Sequence, residues 1–407
     1  MSYEAPYRGY KAVDFSQGIA GPYCGMLLAL NGAEVIKAEP PGGDWSRTLG
    51  AVYGEHAALS IAYNRGKRSI AVDLKAPEGR DIAGRLIAGC DILIEGYRPG
   101  VAARLGMGYE EVKRVNPKVL YVSVTGFGQC GPYAQSPCTD SVAQAFSGLM
   151  SINLGKDGLP HRIGTTIIDA VTGLYAFQAL TAALFAREIG TEREGRHLDI
   201  NLMQSAAAIQ APAIAAYHLE DGAPKPLNTP AGDYRTKDGW IAISLVKEED
   251  FKRLSETIEC ETLPDDPRFS TFSQRAKNKA PLVEILAQTF AEKTTEEWIN
   301  RLKAADLLHA RINDFGDWLA DTHVKSVDAA PIMTHPEVGK IPTPNIPGQL
   351  KAKGDDTLCP PPPIGKHTGE ILSELGYSDE EIETLDQKRI VRLKPETHAR
   401  RRFHHAG

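Results

Sequence analysis

The sequence predicts an α/β protein: a large, mostly parallel sheet covered by helices on both faces, followed by a smaller α+β region. Three observations carry this. Short apolar runs alternate with helical patterns between Lys11 and Thr125. A proline-rich break, Pro224–Pro230, precedes a hairpin-and-helix pattern. The chain has 407 residues, 42% hydrophobic and 24% charged, which excludes disordered and collagenous classes. That length suggests about two domains.

The elements follow in order. Lys11–Phe15 reads as a strand, and Gly18–Pro22 as a glycine-rich turn. The turn lacks GxGxxG spacing, so it is either a tight corner or a backbone that approaches a ligand. Tyr23–Asn31 is a small-residue helix. Ala33–Ala38 and Ser69–Leu74 are strands, and Pro77–Ile87 is a helix with a wet Glu/Arg face. Asp91–Glu95 and Val119–Thr125 are further strands. Strand–helix–strand spacing of this kind means right-handed βαβ units.

Beyond Asp140 the chain turns alanine-rich. Asp169–Ala186 is apolar almost all round and is expected to be a buried helix. Leu198–Leu202 is a strand and Met203–Tyr217 a helix. After the proline break, Tyr234–Thr236 and Trp240–Ser244 flank Lys237-Asp238-Gly239, a hairpin signal. Helices are expected at 249–258, 280–293 and 295–304, the last starting at a capped Thr295-Glu296-Glu297. Pro331 and Ile341–Gln349 mark a return, and Pro360–Pro363 precede a helix over His367–Leu375. The expected division is 1–225 with 331–407 as the large domain and 226–330 as the small one. The basic tail Arg400–His405 is expected to fray.

Composition limits the function. Net charge is −6, which argues against a nucleic-acid partner. The six cysteines form no CxxC pair and read as reduced thiols of a cytoplasmic protein. The first residues lack the apolar run of a signal peptide, and no stretch of 18 apolar residues is found, so no membrane association is expected. There is no GxSxG elbow, HExxH or Walker loop. His161, His197 and His218 have no partner at metal spacing, and no metal is expected.

One carboxylate stands out. Asp169 follows Gly164–Ile168 and opens the apolar helix. It reads either as an N-cap or as a partly desolvated nucleophile kept ionised by the helix N-terminus. Asp140, before another apolar helix, carries the same ambiguity. Lys75, Arg98 and Arg104 lie near the carboxyl ends of the third and fourth strands, where doubly wound sheets bind ligands. Lys75 and Arg104 could hold phosphates, or be solvated surface charges.

Ordered stretches along the chain give a resemblance. They are DFSQGIAGPYCGMLLALNGAEVIKAEPPGGDWSR, NRGKRSIAVDLKAPEG, DILIEGYRPG with Arg104 beyond it, YVSVTGFGQCGPY, the Asp169 helix, DPRFSTFSQRAKN and PPIGKHTGEILSELGY. The chain resembles the family III CoA-transferases (CaiB/BaiF type), the group of formyl-CoA transferase and carnitine CoA-transferase. The resemblance implies a large Rossmann-like CoA-binding domain built from both chain ends, a smaller inserted domain and an interlocked homodimer. It implies acyl-CoA and a carboxylic acid as substrates, with no permanently bound cofactor. Asp169 matches the family's catalytic aspartate, which would form a mixed anhydride and then an aspartyl-CoA thioester. Backbone N–H groups of a glycine-rich turn would stabilise the oxyanions. Ile19, Val72, Lys75, Tyr97, Arg104 and Met203 match positions at or beside CoA or substrate contacts, and Tyr97 could stack on the adenine. Thr139 and Asp140 are substrate-pocket candidates. A dicarboxylate acceptor with succinyl-CoA as donor is the expected pair. The alternative is the 2-methylacyl-CoA racemase branch, which places a histidine immediately before the aspartate that Asp140 matches. Here that residue is Thr139, which offers no base near neutral pH.

Overall fold

A computed structural model describes residues 5–155, 157–190, 193–222, 229–349 and 359–393. Most of the proline-rich break and the basic tail lie outside these residues. Six strands form the principal sheet: β1 (Lys11–Asp14), β2 (Glu34–Glu39), β3 (Arg68–Ala71), β4 (Ile92–Glu95), β5 (Leu120–Thr125) and β6 (Arg196–Asn201). Their order is β3-β2-β1-β4-β5-β6, and every neighbouring pair is parallel. The order reverses between β1 and β4, which opens a crevice at the carboxyl ends of those strands.

The strand sequences explain the two covered faces. Every residue of β4 and β5 is buried. Alternation sends Val13, Leu93 and Tyr121 to one core, with Ile82 and Leu86 of α2 (Pro77–Ala88). It sends Ala12, Ile92, Leu120 and Val122 to the other, with α1 (Ala20–Leu30) and the helix that carries Asp169. Pro77 starts α2, where a missing N–H costs nothing.

The Asp169 helix runs over Ile167–Ile189 and differs from expectation in two ways. Asp169 is its third residue, and the N-cap is Thr166. It is not buried all round: Ile168, Thr172, Ala176, Leu180 and Leu184 form the inner stripe, while Leu174, Phe185 and Ile189 are exposed. Its length and mean hydropathy of 1.5 are enough to cross a membrane, and 39% of that apolar window is buried in the fold. It is not an unbroken apolar run, because Thr172, Gln178 and Thr181 interrupt it, but these scattered polar residues leave its mean hydropathy high. Gly173 sets the approach to α1. A Cβ there would stand 2.7 Å from the Ala20 carbonyl oxygen and 2.9 Å from the Tyr23 Cβ.

The expected helix Met203–Tyr217 is two helices, Leu202–Ile209 and Ala211–Leu219. The chain divides there into two compact units, Met1–Gln210 with Asp328–Gly407, and Ala211–Val327. Buried Gln210 ties the junction to the first unit, donating to Ser147 Oγ (3.1 Å) and the Ala206 carbonyl (2.9 Å). Residues after Pro363 also belong to the first unit. Gly365 N–H donates to Ser69 Oγ (2.8 Å), and Ala71 N–H to Thr368 Oγ1 (3.1 Å). Helices Thr368–Glu374 and Asp379–Gln387 put Ile371, Leu372, Ile382 and Leu385 into the β3-side core. The last of these helices was not expected, because its nine residues hold only two apolar anchors. A Ser378/Glu381 capping box starts it.

In the second unit, Gly232–Arg235, Trp240–Ser244 and Leu308–Arg311 form an antiparallel sheet, the first two as the expected hairpin. Helices Glu249–Thr257, Phe272–Lys277, Lys279–Phe290 and Thr295–Ala304 cover it. Trp298, fully buried, donates to the Phe290 carbonyl (2.9 Å). The last helix is capped at Thr294, one residue before the expected start, because only there can Glu297 complete a capping box.

Candidate active site

The turn after β1 is held from beneath by buried charges. Lys67 Nζ donates to Asp14 Oδ2, the Pro22 carbonyl and Asn64 Oδ1, each at 2.8 Å. Lys37 pairs with Asp44 at 3.0 Å and donates to the Ser16 carbonyl. Burial alone would raise the Asp14 carboxyl. The Lys37 and Lys67 ammonium groups outweigh it and hold Asp14 below the usual carboxylate range. Burial brings Lys67 down to about 8. Asp44 also accepts the Gly18 N–H at 3.0 and 3.1 Å. That N–H is therefore not available to an oxyanion, contrary to the simplest use of the turn. Gly18 has φ 82°, and a Cβ would fall 2.2 Å from the Trp45 ring. The turn is a tight corner that also forms one wall of the cleft above it. Ala20 and Gly21, the first residues of α1, line the cleft and carry first-turn N–H groups.

A cleft of about 670 Å³ opens above this turn, at the point where the strand order reverses. Its walls come from the segments after β1, β4, β5 and β6. Of the sequence-predicted residues it brings together Ile19, Tyr97, Thr139 and Asp169. Arg98 is the cation among its lining residues, and Trp45 and Cys138 also face it. Burial pushes the Tyr97 hydroxyl up to about 12.

Asp169 sits half-buried in the first turn of its helix, where an N–H cap would normally favour the charged form. Those N–H groups are occupied. Asp140 Oδ1 accepts the N–H of Ile168 at 2.7 Å and of Asp169 at 3.2 Å. Burial, and then the Asp140 charge, push the Asp169 carboxyl up to about 7. The expectation that the helix keeps Asp169 firmly ionised is corrected, because a second carboxylate takes its cap. Asp140 itself is 4% exposed and turned into the helix rather than among the cleft-lining side chains.

The other expected residues lie elsewhere. Val72 is buried in the β3-side core, its N–H on the Glu39 carbonyl (2.8 Å). Lys75 and Arg104 are exposed and outside the cleft-lining set. Met203 is half-buried beside the cleft, its N–H on the Gly126 carbonyl (3.1 Å), and its neighbour Leu202 lines the wall. Among the described residues, no group of three or more His, Cys, Asp or Glu side chains is placed to hold a metal.

Sequence reasoning missed Gln144 and Arg65. Gln144 lies one helical turn after Asp140, a spacing that could have found it. Arg65 had no such signal. It is 5% exposed, its Nε has no hydrogen-bond partner, and no carboxylate pairs with it among the described residues. It lines a second cavity of about 470 Å³ with Tyr23, Tyr63, Ile341 and Ala170, the residue after Asp169.

Comparison with known proteins agrees with this architecture. The profile of CoA-transferase family III matches residues 7–368. Human succinyl-CoA:glutarate CoA-transferase is 34% identical over 95% of this chain and 90% of its own length. Agrobacterium fabrum succinate–glutarate CoA-transferase is 32% identical over 91% and 96%. Chloroflexus aurantiacus succinyl-CoA–D-citramalate CoA-transferase is 30% identical over 95% and 98%. A crystal structure of a CaiB/BaiF family protein from Brucella suis superposes with a TM-score of 0.79 at 32% identity, covering 91% of this chain and 99% of that one. A parallel sheet with a cleft at its reversal point, a carboxylate in that cleft and similarity along nearly the whole length lead to one assignment: the chain belongs to CoA-transferase family III.

Proposed function

We propose that this CoA-transferase moves CoA from succinyl-CoA to a dicarboxylic acid, with Asp169 as the covalent carrier. The carrying observation is the Asp169 carboxylate in the cleft, poised near neutrality. The Asp169 carboxylate attacks the donor thioester carbon, forming a mixed anhydride and expelling CoA thiolate. The thiolate attacks the aspartyl carbon, which forms an aspartyl-CoA thioester and releases the donor acid. The acceptor carboxylate attacks that thioester, again giving an anhydride and CoA thiolate. Attack of the thiolate on the acceptor acyl carbon gives the new acyl-CoA and frees Asp169. Each step exchanges bonds of similar energy. First-turn N–H groups at Ala20 and Gly21 are suited to the developing oxyanions.

In this reading Ile19, Tyr97 and Met203 border the CoA path, Tyr97 stacks on the adenine, and Lys75 and Arg104 meet phosphates outside the cleft. Thr139 lines the acyl end. Two things favour a dicarboxylate. The relatives named above act on glutarate and D-citramalate with succinyl-CoA or succinate. A buried guanidinium without a counter-charge, as at Arg65, favours an anion. The racemase reading is not favoured: Thr139 is exposed at a helix start, and no histidine is among the cleft-lining residues. The interlocked homodimer belongs to the same proposal, and the exposed Leu174, Phe185 and Ile189 are suited to it.

The test is trapping. Succinyl-CoA with hydroxylamine should convert Asp169 to a hydroxamate, read by peptide mass spectrometry. Asp169→Ala should abolish transfer while CoA affinity stays within a few-fold. An unmodified Asp169 peptide in active enzyme overturns the mechanism. Arg65→Met should raise KM for the dicarboxylic acid by about tenfold, the size of a lost charged contact, and leave KM for succinyl-CoA within about twofold.

A further inference from the structure

The helix that carries Asp169 is capped from outside. Its own N-cap residue, Thr166, makes no side-chain capping bond. The carboxylate of Asp140, from the short helix Asp140–Phe146, does this instead, accepting the N–H of Ile168 (2.7 Å) and Asp169 (3.2 Å) through Oδ1. Its Oδ2 accepts from Gln144 Nε2 at 2.6 Å. Gln144 Oε1 in turn accepts the Ile163 N–H at 2.8 Å, and Nε2 lies 3.4 Å from the Thr165 carbonyl. Asp140 and Gln144 are four residues apart, on one face of their helix. Gln144 is fully buried and Asp140 nearly so. The pair therefore grips four backbone groups, two in the loop that leads into the Asp169 helix and two in the helix's first turn.

We infer that Asp140 and Gln144 are positioning residues for Asp169: Gln144 fixes the approach of the Ile163–Thr166 loop, and Asp140 fixes where the helix begins and how readily Asp169 ionises. The inference rests on Asp169 as the nucleophile. Starting the helix at Ile167 fixes the direction in which the third residue projects. The same two bonds deprive Asp169 of the N–H groups that would favour its charge, and they bring a second negative charge close to it. Tyr97 and Arg98 line the same cleft as Asp169, and besides Asp140 the titratable groups that interact with it from the other packed segments are Tyr63 and Cys138. Burial raises both, so both are neutral at pH 7, and Asp140 is the charge that acts on Asp169.

Two variants separate the roles. Asp140→Asn keeps an oxygen for the helix N–H groups and removes the charge. The lower limb of kcat/KM against pH should move down by about one unit, while succinyl-CoA binding stays within about threefold of wild type. Gln144→Met keeps the Asp140 charge and releases the loop. It should lower kcat by roughly ten- to a hundredfold, as small displacements of a reacting group do, with the limb unmoved. A folded Asp140→Asn enzyme with an unshifted limb overturns the assignment for Asp140, and wild-type kcat in Gln144→Met overturns it for Gln144. If Asp140→Asn does not fold, Asp140→Ser repeats the charge removal. Hydroxylamine trapping on wild-type enzyme is run alongside. Failure there removes Asp169 as nucleophile, whereas trapping with an unmoved limb removes only the positioning role.

Discussion

A carboxylate in the first turn of a helix is usually ionised well below neutrality, and Asp169 is not. In the proposed mechanism the attacking species is the carboxylate, so the fraction competent to react should rise with pH through about 7 and level off above it. The rate of acyl-CoA consumption should follow that limb, measured as kcat/KM between pH 5.5 and 9. A falling profile over this interval would exclude Asp169 ionisation as the controlling step. Stability moves the opposite way. The folded state holds a proton that the unfolded chain releases near pH 4, so stability declines as pH rises from about 4 to about 7. Asp169→Asn should therefore melt a few degrees above wild type at pH 8 and close to it at pH 4, read by calorimetry. Asp169 itself was legible because Asp between apolar flanks at a helix start is a conspicuous pattern. The competition for its cap was not, because Asp140 lies 29 residues away in sequence.

At the level of elements, the cleft depends on two glycines with different tasks. Gly18 adopts a left-handed backbone with the Trp45 ring against it. Gly18→Ala should cost about 1–2 kcal/mol of stability and displace Trp45, so KM for acyl-CoA should change more than chemical denaturation suggests. Gly173 lets the Asp169 helix lie against α1. Gly173→Val overpacks that contact and should cost about 1–3 kcal/mol in urea unfolding. A variant as stable as wild type would show that the two helices can separate without loss. The glycine-rich turn was legible as a turn from Gly18 and Gly21. Its burial over two lysines and two aspartates was not, since Lys37 and Lys67 read as ordinary charges until β2 and the segment before β3 are laid beside β1. The apolar composition of the Asp169 helix was read as complete burial. Hydrophobicity alone cannot separate an inner stripe at Ile168, Thr172 and Ala176 from an outer one at Leu174 and Phe185.

For the whole molecule, alternating apolar runs disclosed a parallel sheet, because strands covered on both faces must be apolar throughout. The strand order, which sets the position of the cleft, is a property of crossovers and is not written in any one segment. The division at Gln210 was equally hidden. Met203–Tyr217 reads as one helix, and only the buried Gln210 amide shows where the first unit ends. The proposed homodimer predicts a native mass of twice 44.2 kDa at micromolar concentration, and a monomer carrying full activity would refute it. The late helices of the first unit have a consequence for synthesis. Ser69 waits for Gly365 across 296 residues, which at about 5–20 residues per second is roughly 15–60 s of translation. Until then Val72, Ile82 and their neighbours lack the cover of Ile371, Leu372 and Ile382. Until the late helices arrive, α2 covers this side of the sheet only in part, and a chaperone that binds apolar surface is well timed to meet what is left uncovered.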